Sequence, residues 1–301
     1  MNKNNKTRKN KKIKKMNCGP IKRNKTLKQS CFDDDTLLYL KKIINKYNDQ
    51  ITIQNNQPKK IWYELKSKIP NCNNEQCWLK HIRNKDLVKD INKTFFAPKQ
   101  PKEWKQNKYT WLWDKDIFDV LNQYDNEHKD FNFIGPTPID FDSSIDIFHN
   151  CVNKKMCSFS IKNYLKKKIS KIGIVFNLDK HNENGSHWTS MFINFDEDFI
   201  YYMDSAAMNI PDEIHNFVER LKQQNIDLNR KELKFYTNIP LEHQKGDSEC
   251  GMYSLYFIIT MLTKKTEDRT FKNYQEIIDY FSNKRITDKF VFNYRDKYFN
   301  K

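Results

Sequence analysis

The chain has 301 residues, enough for one catalytic domain and an appended region, and 38% of them are apolar, enough to fill a core. Its formal charge of +16 is unevenly spread: residues 1–30 hold twelve Lys/Arg and no Asp/Glu, leaving only +4 for the other 271 residues. No run of 18 or more apolar residues occurs, which excludes a helical membrane span, and the basic N-terminus lacks the apolar stretch of a secretory signal.

Residues 1–29 are dominated by Lys, Asn and Thr, with too few apolar side chains to offset ordering entropy, and are expected to be a basic disordered tail. Such a tail serves either as a solubiliser or as a contact for nucleic acid. A helical arm is expected over residues 30–102. There Asp33, Asp34 and Asp35 precede the helical apolar pattern that begins at Thr36, and a second helical piece follows near 74–92. The Ala97–Pro101 stretch reads as a link.

Residues 103–301 mix helices and strands. Ile117, Val120, Leu121 and Tyr124 repeat at helical spacing over 115–124. Strands are expected at 171–178, 188–195, 198–204 and 232–238, with a hairpin turn across Phe195–Asp198. Pro211 opens a helix running to about 224, residues 250–264 read as a buried helix, and another helix is expected at 273–282.

Seven cysteines, at 18, 31, 72, 77, 151, 157 and 250, are odd in number and irregular in spacing. They predict free thiols in a reducing compartment rather than a disulfide framework. Cys72, Cys77 and His81 match no common zinc spacing, and neither do His149, Cys151 and Cys157, so no metal site is expected. The lysine run at 166–168 reads as a solvated helix face, and no phosphate loop or dinucleotide fingerprint calls for a cofactor.

Three segments carry chemistry: His187-Trp188 entering a strand, Asp204-Ser205 leaving the next, and Gln244 six residues before Cys250-Gly251 at the head of the buried helix. A thiol at a helix N-terminus faces unpaired amides and the positive end of the dipole, and both favour thiolate. A neighbouring imidazolium favours it further. The expected hairpin brings Asp204 back to His187, where a carboxylate fixes the imidazole's tautomer and stabilises its charge. Attack on an amide carbonyl creates an oxyanion, for which the Cys250 amide and the Gln244 side chain are candidate donors. Gly251 is expected to leave room for a substrate backbone. Each segment alone has a plainer reading as packing or turn chemistry; their order and spacing together favour catalysis.

This set resembles the ubiquitin-like-protein (SUMO) proteases and the adenovirus protease, members of one cysteine-peptidase clan. Trp111-Leu-Trp-Asp114-Lys-Asp-Ile117 is similar to the opening of the SUMO protease domain. The resemblance implies that Trp111 and Trp188 form a narrow tunnel over a Gly-Gly tail and that Asp114 helps hold it; the plainer reading makes Trp111 and Trp113 a core-facing helix start. Glu249 stands where SUMO proteases usually carry Asp. The segments Phe131–Phe141 and Glu249–Tyr253, with a helical arm ahead of the core, most resemble processing proteases of large cytoplasmic DNA viruses, the African swine fever virus and poxvirus type.

The implied fold is α+β: a papain-like cysteine protease core with a central, mostly antiparallel sheet and a helical N-terminal arm. The implied activity is thiol endoproteolysis of viral precursor proteins after Gly-Gly during virion maturation, in the virion and the host cytoplasm. The alternative is a protease that deconjugates a SUMO-like modifier. Protein substrates, nucleic acid through residues 1–29 and no membrane partner complete the expectation.

Overall fold

A computed structural model describes residues 13–21, 25–48, 50–69, 71–145 and 150–301, which divide into two units, residues 1–99 with Asn300 and residues 100–299 with Lys301. In the second unit five strands form one sheet in chain order: β1 (Phe131–Pro138), β2 (Lys171–Asn177), β3 (Trp188–Asn194), β4 (Phe199–Met203) and β5 (Lys234–Thr237). The sheet is antiparallel through its centre, β2–β3–β4, and parallel where β1 and β5 join its margins. Both faces of its centre are covered, so β2, β3 and β4 are buried almost throughout and read as apolar runs.

Residues alternate between the two faces with the strand period of two. Phe199, Tyr201 and Met203 of β4 join one core, while Ile200 and Tyr202 join the other. The first core is organised around the helix Cys250–Thr263, whose residues 250–262 are all buried. That explains why the segment looks apolar on every side rather than amphipathic. Helices Asp114–Glu127 and Tyr274–Asn283 contribute to the same core, and Asp212–Asp227 packs on the opposite face.

The hairpin expected across Phe195–Asp198 is present, with Asp198 in the left-handed region at φ +50°. β1 was not expected; its Gly135, Pro136 and Pro138 are residues that strand interiors disfavour. As an edge strand it tolerates them: the ladder shifts register between Ile134 and Thr137, where Gly135 takes φ +119°. Pro211 is the residue before its helix rather than the first within it.

In the first unit, Asp33 caps the helix Asp34–Tyr47 by accepting from the Thr36 amide at 2.8 Å. The second helical piece is broken into Glu75–Trp78, a 3-10 turn at Leu79–His81, and Lys85–Phe95. A helix at Pro58–Lys68 went unanticipated, although Pro58 suits its first turn and Ile61, Trp62 and Leu65 bury one face.

Two expectations need correction here. Residues 13–21 and 25–29 do not behave as a disordered tail: Met16 and Leu27 are buried in the first unit's core and Cys18 is bonded to Cys31. Residues 1–12 and 22–24 lie outside the described residues. The cysteines do not stay free: Cys18–Cys31, Cys72–Cys77 and Cys151–Cys157 are disulfides, leaving Cys250 as the free thiol. These bridges close loops of 13, 5 and 6 residues, local staples that an odd count over a long chain conceals.

The charge divides with the units. Residues 1–99 carry 25 Lys/Arg against 8 Asp/Glu, and residues 100–301 carry 29 against 30, so the whole excess belongs to the first.

Candidate active site

Cys250 is the first residue of its helix, so its amide lies among the N–H groups that have no acceptor within the helix. The side chain is 1% exposed and lies in the same core as Trp188 and Leu112. His187 stands one residue before β3, its carbonyl accepting from the Leu178 amide at 3.0 Å. Asp204 stands one residue after β4 and is fully buried. The β3–β4 ladder pairs Ser190 with Met203, so its continuation brings 204 beside the 187–189 end.

The geometry realises this. His187 Nε2 lies 2.6 Å from Asp204 Oδ1, which leaves Nδ1 for the thiol of Cys250. The Ala206 and Met208 amides donate to the two Asp204 carboxylate oxygens at 2.9 and 3.0 Å, so the carboxylate is held before it meets the imidazole. Asn238, just beyond β5, accepts from the Asp204 amide and donates to its carbonyl, fixing the backbone as well. Burial alone would lower the His187 pKa, but hydrogen bonds and charge from Asp204 and Cys250 outweigh it and raise it to about 9. The imidazole therefore holds its proton at neutral pH.

The loop 243–249 is fixed from two sides. Ser205 donates from Oγ to Gln244 Oε1 at 2.8 Å, and its carbonyl accepts from the His243 and Gln244 amides. Buried His243 accepts at Nδ1 from the Ile286 amide and donates at Nε2 to the Phe281 carbonyl, a neutral tautomer that burial favours by lowering its pKa. Asp288 accepts from the Lys245 amide at 3.0 Å. Nearest Cys250, Arg295 grips Glu249 through Nη2 at 2.8 Å and Nε at 3.2 Å, and reaches the carbonyls of Ser248, Lys108 and Thr110. Burial raises the pKa of Glu249 and lowers that of Arg295, each opposed by the partner's charge, and the guanidinium keeps its proton.

The substrate-binding candidates divide into two groups. The Trp188 indole donates to the Leu112 carbonyl at 3.0 Å. Gly251 lies against that same wall: a Cβ there would meet Leu112 Cβ at 3.1 Å and Trp188 Cδ1 at 3.3 Å. The missing side chain therefore lets the helix approach the Leu112–Trp188 wall closely. Trp111 and Asp114 stand apart, on the exposed segment that runs into the Asp114–Glu127 helix. Trp111 and Trp113 are 37% and 58% exposed with Leu112 buried between them, so neither tryptophan is a core-facing helix start.

Ser205, Asn238, Asp288 and Arg295 were not anticipated. Ser205 had a signal in its place beside Asp204; the others had none, because they act across 34 or more residues of sequence. Among the described residues, no group of three or more His, Cys, Asp or Glu is arranged to hold a metal, and no helix is long and apolar enough to cross a membrane. His149 lies outside the described residues, and Cys72, Cys77, Cys151 and Cys157 are bonded in pairs.

A free thiol at a helix N-terminus, an imidazole beside it and a buried carboxylate on the imidazole's far nitrogen are the working parts of a cysteine protease. A profile of the Ulp1 protease family, C-terminal catalytic domain, matches residues 148–300, and the chain belongs to that family. It is 27% identical over 284 residues to a thiol protease of Acanthamoeba polyphaga mimivirus, covering 86% of this chain and 90% of that protein. It is 26% identical over 261 residues to a cysteine protease of African swine fever virus, covering 80% and 89%. The crystal structure of an African swine fever virus protease superposes with a TM-score of 0.61 at 20% identity, over 95% of this chain and 96% of that one, which extends the likeness of fold to both units.

Proposed function

We propose that this cysteine protease is a viral maturation endopeptidase that cleaves virion precursor proteins after Gly-Gly. The observation that carries the chemistry is the 2.6 Å contact between His187 and Asp204 beside Cys250, the free cysteine. Cys250 is the nucleophile. His187 first receives its proton, then delivers one to the leaving amine. Asp204 orients and stabilises the imidazolium. The Cys250 amide and Gln244 Nε2 receive the oxyanion, and water then hydrolyses the thioester.

One feature favours the viral reading over removal of a SUMO-like modifier. The match to the mimivirus protease spans 86% of the chain, more than residues 100–301 can supply, so it reaches into the helical unit ahead of the catalytic one. The wall formed by Leu112, Trp188 and Gly251 suits a thin glycine-rich tail, which both readings require. Residues 1–29 are proposed to retain the enzyme on nucleic acid inside the particle, consistent with twelve positive charges and no negative one. The site of action is the virion and the cytoplasm where it assembles; three disulfides favour the assembled particle as the place of activity.

The test compares Gly-Gly-x peptides from capsid precursors with a ubiquitin-like vinyl sulfone. Fast cleavage of the peptides with slow reaction of the vinyl sulfone is expected. The reverse ranking assigns the enzyme to deconjugation instead.

A further inference from the structure

We propose that Ser205 is a positioning residue that sets the orientation of the Gln244 side-chain amide, so that its NH2 group and not its carbonyl meets the oxyanion. The inference rests on the reading of Gln244 as an oxyanion donor. A primary amide is nearly symmetric in shape, and a half-turn exchanges a donor for an acceptor. In the wrong orientation Gln244 would aim a lone pair at a developing negative charge, repelling what it should stabilise.

Two contacts define the orientation. One end of the amide lies 2.7 Å from the Gly246 carbonyl oxygen, which only accepts, so that end is Nε2. The other end, Oε1, lies 2.8 Å from Ser205 Oγ, which must then donate. Nε2 has two hydrogens; Gly246 takes one and the second remains for the substrate.

The two anchors differ in strength. Gly246 sits on an exposed loop, and nothing lies within 4 Å of where its Cβ would be. Ser205 is 2% exposed, and its own carbonyl accepts from the His243 and Gln244 amides at 2.9 and 2.8 Å. One residue therefore fixes Gln244 at both backbone and side chain. Ser205 is also bonded in sequence to Asp204, so the residue that orients His187 and the residue that orients the oxyanion donor are placed by the same strand end.

The test measures kcat and KM on a Gly-Gly-aminomethylcoumarin peptide for the native chain, Ser205→Ala, Gln244→Ala and the double variant. Gln244→Ala is expected to lower kcat roughly 10²–10³-fold, as loss of an oxyanion donor does. Ser205→Ala is expected to lower kcat about tenfold with KM unchanged, and to cost nothing further once Gln244 is Ala, because it acts through that amide. Ser205→Thr, which keeps the hydroxyl, should recover most of the loss. An equal cost of Ser205→Ala in both backgrounds, or no cost in either, overturns the inference while leaving Gln244 in its role. An undiminished kcat in Gln244→Ala instead overturns the reading of Gln244 itself. Thermal unfolding of each variant separates loss of fold from loss of turnover.

Discussion

Two pairs of opposite charge flank Cys250, one partly and one fully buried, and they do different work. On the strand side, His187 and Asp204 share a contact of 2.6 Å around a proton that can leave. On the side of the C-terminal helices, Glu249 and Arg295 meet at 2.8 Å around a proton that does not. His187 is held from both directions, by a carboxylate and by a thiol, and its pKa is raised into the range where proton transfer can be used. Arg295 instead spends all its donors on fixed acceptors and ties the residues just before Cys250 to the backbone just before Trp111. One pair is chemistry and the other geometry, although similar burial and charge would make them look alike in a list of ion pairs.

Removing the movable proton should cost most. His187→Ala is expected to lower kcat/KM by about 10⁴-fold or more, and Asp204→Ala by roughly ten- to a hundredfold less than that. An equal or larger loss in Asp204→Ala would mean that Asp204 mainly holds the fold.

The fixed pair should show itself in stability before turnover. Arg295→Met strands a buried carboxylate and is expected to cost about 3–5 kcal/mol by denaturant unfolding. Arg295→Lys should fall between, because one ammonium cannot span the Glu249 carboxylate and three backbone carbonyls on two segments. If Arg295→Met unfolds like the native chain, the grip described here is not holding that corner together.

The pairs should also separate by pH. The folded-state pKa of His187 lies above its ordinary 6.5, so its contribution to stability is complete below pH 6.5 and is lost as pH rises through about 9. Peptide cleavage should fall over the same rise, since the ion pair with thiolate needs a protonated imidazole. The His187→Ala variant should lack this dependence in its unfolding, while Arg295→Lys should keep it. As the smallest effect, breaking the exposed Glu219–Lys222 pair with Glu219→Ala should change stability by less than about 0.5 kcal/mol and leave turnover unchanged.

The movable pair was legible in the sequence and the fixed pair was not, for a physical reason. His187, Asp204 and Cys250 sit at the ends of elements whose periodicities are strong, a hairpin with a short turn and a helix apolar on every side, and Gln244 lies in the loop leading into that helix. Their positions follow from local rules about where strands end and helices begin. Arg295 opens a helix of four residues, too short to leave a pattern, and its partners lie 46 residues or more away. β1 was hidden by Gly and Pro that only an edge position tolerates. The three disulfides were hidden because pairing depends on where loops return. At Gly251 the sequence signals a close approach, and its neighbours Leu112 and Trp188 come from distant segments that local pattern does not reveal.

The central claim is that Cys250, activated by His187, is the nucleophile. The direct measurement is mass spectrometry of the full chain after reaction with a thiol-reactive Gly-Gly peptide probe at neutral pH. One adduct is expected, on Cys250, absent in Cys250→Ala and greatly slowed in His187→Ala. Undiminished labelling in Cys250→Ala, or an adduct carried by another residue, would contradict the account.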